Sequence, residues 1–288
     1  MTTRPRSGVL AADACDCHMH VFDPAWPLAA GATMQAPPAS TLQDYRVVQS
    51  ALGLSRVVVV QSGAYGFDNR CMLTALATLG DTARGVVTIE PTLDDSRLAQ
   101  LHAAGVRGVR FMMLNRPLLS WDALEPMAER IAHLGWHINL QLDGAEFPRL
   151  QQRLARLSVP LVIDHNGKFM SPPGVDAPEF RALRVLMDSG RCWIKLSAPY
   201  ETSSTGAPDY ADVSVLASTL ARAYPQRCLW ASNWPHVGRA TPPRDADLLA
   251  LLLRVWVPDD EGSLRRILVD NPCQLYGFPP TPTPFLPH

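Results

Sequence analysis

His18-Met19-His20 sets two imidazoles two residues apart. On an extended strand successive side chains alternate, so His18 and His20 project from one face and Met19 from the other. Two converging imidazoles can hold a metal ion or donate hydrogen bonds to a carbonyl oxygen. Asp164-His165-Asn166-Gly167-Lys168 adds a third histidine and a lysine around a glycine. Trp230-Ala231-Ser232-Asn233-Trp234-Pro235-His236 encloses an amide between aromatic residues and a proline, which suits a rigid turn that presents Asn233. Arg110, embedded in an apolar run, and Arg116 in the segment after it suit planar, bidentate binding of a carboxylate. Gln141 can orient a substrate but cannot move protons. Trp193, Lys195 and Ser197 share one strand face, where Lys195 is either a buried ammonium paired with a carboxylate or a site group.

These residues need a scaffold that brings strand ends together. Short runs rich in Val, Ile and Leu recur at 15–21, 56–61, 85–90, 108–112, 137–142, 160–165, 192–197 and 227–233. Helical patterns separate them, at 41–52, 69–79, 95–104, 121–134, 148–157, 178–189, 210–223 and 245–255. This alternation predicts an α/β protein with a single (β/α)8 TIM barrel over 1–288, ending in a proline-rich tail at 279–288 that wraps the surface. A doubly wound open sheet is the alternative, but no Gly-rich phosphate loop follows the first strand. Helix-to-strand connections are tight (53–55, 80–84, 158–159, 190–191), whereas strand-to-helix connections are long (22–40, 61–68, 166–177, 198–209, 234–244). Long loops at the strand ends are where barrel enzymes carry their sites, and every candidate residue above falls there.

Composition excludes other classes. The 288 residues carry a formal charge of -1, so no electrostatic footprint for nucleic acid or an anionic membrane is expected. Segment 1–16 lacks a continuous apolar stretch and does not read as a signal peptide, and the most apolar long run, 248–257, is too short to span a bilayer. Six cysteines without a CxxC pair suggest reduced thiols in a cytoplasm, with Cys15 and Cys17 as small buried hydrophobes. Of 26 basic residues only Lys168 and Lys195 are lysines, and both fall at predicted strand ends. No Gly-x-Ser-x-Gly elbow, P-loop or dinucleotide fingerprint occurs.

Asp16-Cys17-His18-Met19-His20, Asp164-His165-Asn166-Gly167, Trp193-Ile194-Lys195-Leu196-Ser197 and Asn233-Trp234-Pro235-His236 together resemble the amidohydrolase superfamily, in the branch of 2-pyrone-4,6-dicarboxylate lactonase, L-fuconolactonase and galactarolactone isomerase. The resemblance covers nearly the whole chain. It implies that His18, His20 and His165 polarise a lactone carbonyl without metal or cofactor, and that Arg110 and Arg116 bind substrate carboxylates. Hydrolases of the branch carry an Asp as general base at the end of strand eight, where this chain has Asn233. Lys168 stands where the lactonase has Arg, and Gln141 where it has Tyr. These three departures, with the Tyr200-Glu201-Thr202-Ser203-Ser204 stretch, are similar to the isomerase, although His18 differs from it.

The resemblance therefore implies isomerisation of a carboxylated sugar-diacid lactone, with Asn233 orienting the lactone or the attacking hydroxyl. Lys168, Gln141, Tyr200 and His236 join the arginines around a small-molecule substrate. Hydrolysis of a carboxylated lactone is the alternative; it requires another base, with His236 nearest in sequence, or Asn233 as a replacement of Asp. A metal-dependent hydrolase using the three histidines lacks its strand-eight carboxylate. A non-catalytic sugar-acid binding protein is the remaining class.

Overall fold

The computed structural model describes residues 13–32, 36–114 and 116–279; beyond Pro279 the expected tail lies outside them. Eight parallel strands follow chain order around one sheet: β1 (Cys15–Met19), β2 (Arg56–Val60), β3 (Ala83–Val87), β4 (Val106–Met112), β5 (His137–Gln141), β6 (Leu161–Ile163), β7 (Cys192–Leu196) and β8 (Cys228–Trp230). The ring closes just beyond β8, where Met19 bridges to Trp234, His20 N donates to Trp234 O (2.8 Å) and Asn233 N donates to His18 O (2.9 Å). Asp16 braces the same seam by accepting from Ser232 N (3.0 Å) and Ser232 Oγ (2.5 Å). The TIM barrel read from the alternation is the observed fold.

Helices α1 (Leu42–Leu52), α2 (Arg70–Leu79), α3 (Asp95–Ala103), α4 (Leu124–Ile131), α5 (Phe147–Ala155), α6 (Pro178–Asp188), α7 (Ala211–Ala223) and α8 (Asp245–Leu251) surround the sheet. Val57, Val59, Ile138, Leu140, Ile194 and Leu196 are fully buried between strands and helices. Each such side chain stabilises the fold by about 1.5–3 kcal/mol, which lets the barrel interior carry polar groups. Inside the barrel, Cys15, Cys17, Val58, Val60, Trp193 and Leu229 fill the lower layers.

Two strands begin earlier than the apolar runs suggest. β3 starts at Ala83 and β4 at Val106 because Arg84 and Arg107 belong to the strands rather than to the turns before them. Arg84 donates to Tyr276 O (3.2 Å) and Gly277 O (2.9 Å), and Arg56 to Cys273 Sγ (2.7 Å) and Pro279 O (2.6 Å). The acceptors lie in and after α10 (Asn271–Tyr276), which with α9 (Glu261–Arg265) forms a helical segment that no apolar periodicity announced. Tyr276 from α10 reaches the interior cluster, so this segment closes the barrel end opposite the loops. Among the described residues no helix is long and apolar enough to cross a membrane.

Candidate active site

His18, His20, Arg110, Gln141, His165, Lys168 and Asn233 meet at the loop-bearing end of the barrel. β1 holds a bulge: Asp16 pairs with Val57 and Met19 with Val59, so β1 uses three steps where β2 uses two. The extra residue turns His18 inward directly after Cys17, while His20 stays inward and Met19 packs outward. His18 and His20 have ring centroids 4.8 Å apart, and His18 and His165 lie 5.1 Å apart.

Beneath these rings lies a polar layer from three strands. Lys195 Nζ donates to Asn139 Oδ1 (2.5 Å), pairs with Asp164 Oδ1 (3.1 Å) and lies 3.0 Å from His18 Nδ1. An ammonium has three hydrogens, and here three acceptors meet them. His20 Nδ1 contacts Val60 O (2.8 Å), a carbonyl that can only accept, so the neutral ring keeps a lone pair on Nε2. That lone pair is 3.2 Å from His18 Nε2. His18 must therefore carry its hydrogen on Nε2 and accept from Lys195 through Nδ1; the other tautomer would oppose two lone pairs. The order Lys195 to His18 to His20 to Val60 runs in one donating direction.

Burial chiefly depresses all three histidines and keeps them neutral. His20 falls to about 3, with Arg110 adding to the effect of burial. Burial pushes the Asp164 carboxyl up, but the Lys195 ammonium 3.1 Å away holds it well below the usual carboxylate range. Lys168 is lowered to about 8 by burial, against Asp164 and with Arg110 and Arg239.

Above this layer opens a cavity of about 270 Å³, lined by His20, Arg110, Gln141, His165, Lys168, Glu201, Asn233 and Arg239. That is the scale of a small ligand. Arg110 donates to Gln61 O (2.8 Å) and to Gln141 Oε1 (3.0 Å), leaving the Gln141 amide nitrogen as a donor. His165 Nδ1 meets Ser197 Oγ at 2.9 Å. Lys168 forms an ion pair with Glu201. Asn233 Nδ2 donates to both Glu201 Oε1 and Tyr200 Oη, each at 2.9 Å, so Oδ1 is its remaining polar atom and can only accept.

Three expected residues stand elsewhere. Arg116 is exposed and is not among the cavity-lining residues. Tyr200 and His236 lie behind Asn233: Tyr200 Oη contacts His236 Nδ1 (2.8 Å), and His236 Nε2 contacts Asp245 Oδ1 (3.1 Å). Having accepted from Asn233, the Tyr200 hydroxyl donates to His236 Nδ1, so His236 Nε2 carries the hydrogen facing Asp245. His236 therefore has no free lone pair with which to act as a base.

The loops pay for this placement in backbone strain. His165, Asn166 and Lys168 have φ of 54°, 57° and 49°, and Asn233 has 61°. Left-handed non-glycine residues cost of order 1 kcal/mol or more and collect at functional sites. Gly167, at φ 91°, cannot be replaced cheaply, since a Cβ would come within 2.7 Å of the Phe169 ring and 2.9 Å of Leu183. Asn166 Nδ2 locks the turn by donating to Ser197 O (2.7 Å).

His18, Asp164 and His165 have potential ligand atoms within 4.8 Å of one another. The donor set nevertheless does not fit a divalent ion. Lys195 already places a positive charge against both His18 Nδ1 and Asp164 Oδ1, and position 233 offers an amide rather than a carboxylate.

Sequence reading passed over Asp164, Asn139, Glu201 and Arg239. Asp164 and Glu201 stand inside quoted motifs, one beside His165 and the other beside Tyr200, and a carboxylate at a barrel strand end was the available signal. Arg239 lies in the loop after β8, with its guanidinium 5.2 Å over the Tyr200 ring and donating to Tyr200 O. Nothing in its local sequence distinguishes it from other loop arginines.

Comparison with known proteins agrees with this architecture. Residues 15–278 match the amidohydrolase family model. The chain is 36% identical over 279 residues to the 2-pyrone-4,6-dicarboxylate hydrolase of Comamonas testosteroni, covering 93% of this chain and 91% of the relative. It is also 36% identical over 275 residues to the D-galactarolactone isomerase of Agrobacterium fabrum, covering 93% and 92%. An apo crystal structure of an Agrobacterium tumefaciens protein superposes with a TM-score of 0.89 at 34% identity, covering 95% of this chain and 99% of that one. A barrel with this strand-end cluster, matched along almost its whole length, belongs to the amidohydrolase family of enzymes.

Proposed function

We propose that the protein isomerises a carboxylated sugar-diacid lactone, converting the 1,5-lactone of an aldarate to its 1,4-lactone without a metal. The observation that carries this reading is Asn233. It stands at the end of the last strand beside the histidine cluster, with both amide hydrogens committed to Tyr200 and Glu201. An amide there cannot take a proton from an attacking water. A substrate hydroxyl held next to the carbonyl needs less activation, since well-oriented intramolecular attack reaches effective molarities of roughly 10⁵–10⁸ M. The relative described as an isomerase supports the same choice.

In this reading His165 supplies an N–H to the developing oxyanion. The Nε2–H of His18, shared with His20 at rest, is the second donor. Arg110, Arg239 and Lys168 bind the free carboxylate, and Gln141 and Asn233 Oδ1 meet hydroxyls. An aldaro-1,5-lactone followed by NMR should convert to the 1,4-lactone in proportion to enzyme. Free diacid accumulating above background, with no enzyme-dependent 1,4-lactone, overturns the proposal. That second outcome is lactone hydrolysis, which the equal similarity to the pyrone dicarboxylate hydrolase favours. Neutral lactones should be poor substrates, because the cavity wall holds three cations.

A further inference from the structure

We propose that Glu201 is the proton acceptor and donor of the cavity: it takes the proton of the attacking hydroxyl and returns it to the departing ring oxygen. This rests on the lactone-isomerase reading. Among the described residues that line the cavity, Glu201 is the only carboxylate. Arg110, Lys168 and Arg239 are cations, and the Gln141 and Asn233 amides are not basic. His20 Nε2 already accepts from His18 and is a weak base at about 3. His165 is likewise depressed by burial.

Glu201 is also well placed. It ends the helical turn Pro199–Glu201 that follows β7, directly after Ala198 at φ 46°. Asn233 Nδ2 holds Oε1 at 2.9 Å and Lys168 pairs with Oε2, so the carboxylate is oriented from two sides. Each oxygen has two lone pairs, so one lone pair on each remains for a substrate hydroxyl. Asn233 then acquires a second role: it is the positioning residue that aims the base.

The chemistry needs only one such group. In passing from a 1,5- to a 1,4-lactone, the C1–O4 bond forms and the C1–O5 bond breaks. The O4 proton moves to Glu201 as O4 attacks C1, and the carbonyl electron pair becomes the oxyanion. Collapse of the oxyanion expels O5, which takes the proton back from the Glu201 carboxylic acid. O4 and O5 sit on adjacent carbons, so one carboxylate reaches both, and no proton is gained or lost overall. Lys168 keeps its charge throughout and favours the ionised carboxylate at the start.

The test uses Glu201→Gln and Glu201→Ala in the full chain, with aldaro-1,5-lactone and NMR detection of both lactones and the diacid. Glu201→Gln should lose roughly 10²–10⁴-fold in kcat with KM within a fewfold of wild type. Added formate should restore part of the rate of Glu201→Ala in a saturable way, a rescue that loss of packing would not show. Retention of kcat by both variants, a loss confined to KM, or no formate rescue overturns the role. If wild type makes diacid instead of 1,4-lactone, the isomerase reading falls. The same two variants, scored on diacid, then decide whether Glu201 serves water as the acceptor. Wild type inert on this substrate overturns both.

Discussion

Lys195 and Asp164 form an ion pair at 3.1 Å with both side chains fully buried, directly beneath His18. Removing one partner of such a pair leaves an uncompensated buried charge, which costs about 3–5 kcal/mol. Lys195→Met should therefore lower the unfolding free energy measured in urea by about that amount. It should also release His18 Nδ1 to donate to Asp164, at 3.3 Å, and withdraw the hydrogen from Nε2. Replacing both partners with apolar residues, Lys195→Met with Asp164→Leu, should recover much of the stability but not the activity. Recovery of both would show that the pair serves packing alone.

Asn233→Asp tests directly the absence of a carboxylate at position 233. The new carboxylate would stand where Nδ2 now donates to Glu201, so two like charges would share Lys168. One of them should be harder to ionise for that reason. Hydrolysis to diacid should appear, increased by roughly 10²-fold over wild type and rising with pH as both groups ionise. Isomerisation should fall, because Glu201 loses the donor that aims it. Unchanged hydrolysis in the variant would mean that the amide at position 233 does not decide between the two reactions.

The division between what could and could not be read from the chain has a physical basis. Strand–helix alternation and loop asymmetry depend on local periodicity, and they located the barrel and the face on which His18, His20, His165, Lys168 and Asn233 gather. The partners of those residues depend on long-range register. Asn139 meets Lys195 only because β5, β6 and β7 are consecutive neighbours inside the barrel. Arg116 and Tyr200 follow different strands, but left-handed backbone at Arg116 (φ 65°) and Ala198 changes where the chain goes next. No alternation rule carries across such a turn. Glu201 rather than Tyr200 consequently lines the cavity.

Lys168 gives the cavity a pH dependence of known sign. A lysine carries its charge below its pKa, and this one is lowered to about 8 from the usual 10.5, mainly by burial. The ammonium is thus present at pH 7 and is lost as pH rises through 8, whereas Arg110 and Arg239 stay charged. KM for a carboxylated lactone should rise between pH 7 and 9. Lys168→Met should show the high KM already at pH 7 and no further rise across that window. Lys168→Arg should keep KM low to higher pH. A wild-type KM that is flat from pH 7 to 9 would remove Lys168 from substrate binding.

Metal dependence can be decided by the same cluster that suggests it. His18, Asp164 and His165 could chelate an ion only if Lys195 withdrew, because its ammonium contacts two of the three ligands. Chelators should leave the wild-type rate unchanged, and added zinc should not raise it. Lys195→Met removes the competing cation and leaves His18 Nδ1 and Asp164 without it. Zinc should then raise the Tm of Lys195→Met, since a ligand that binds the folded state stabilises it by mass action, while wild type should show no comparable shift. Stoichiometric zinc or manganese in active wild-type protein, with activity lost on chelation, would overturn the assignment of Lys195 as the resident cation. A zinc-induced shift in both proteins would show that the ammonium does not guard the cluster.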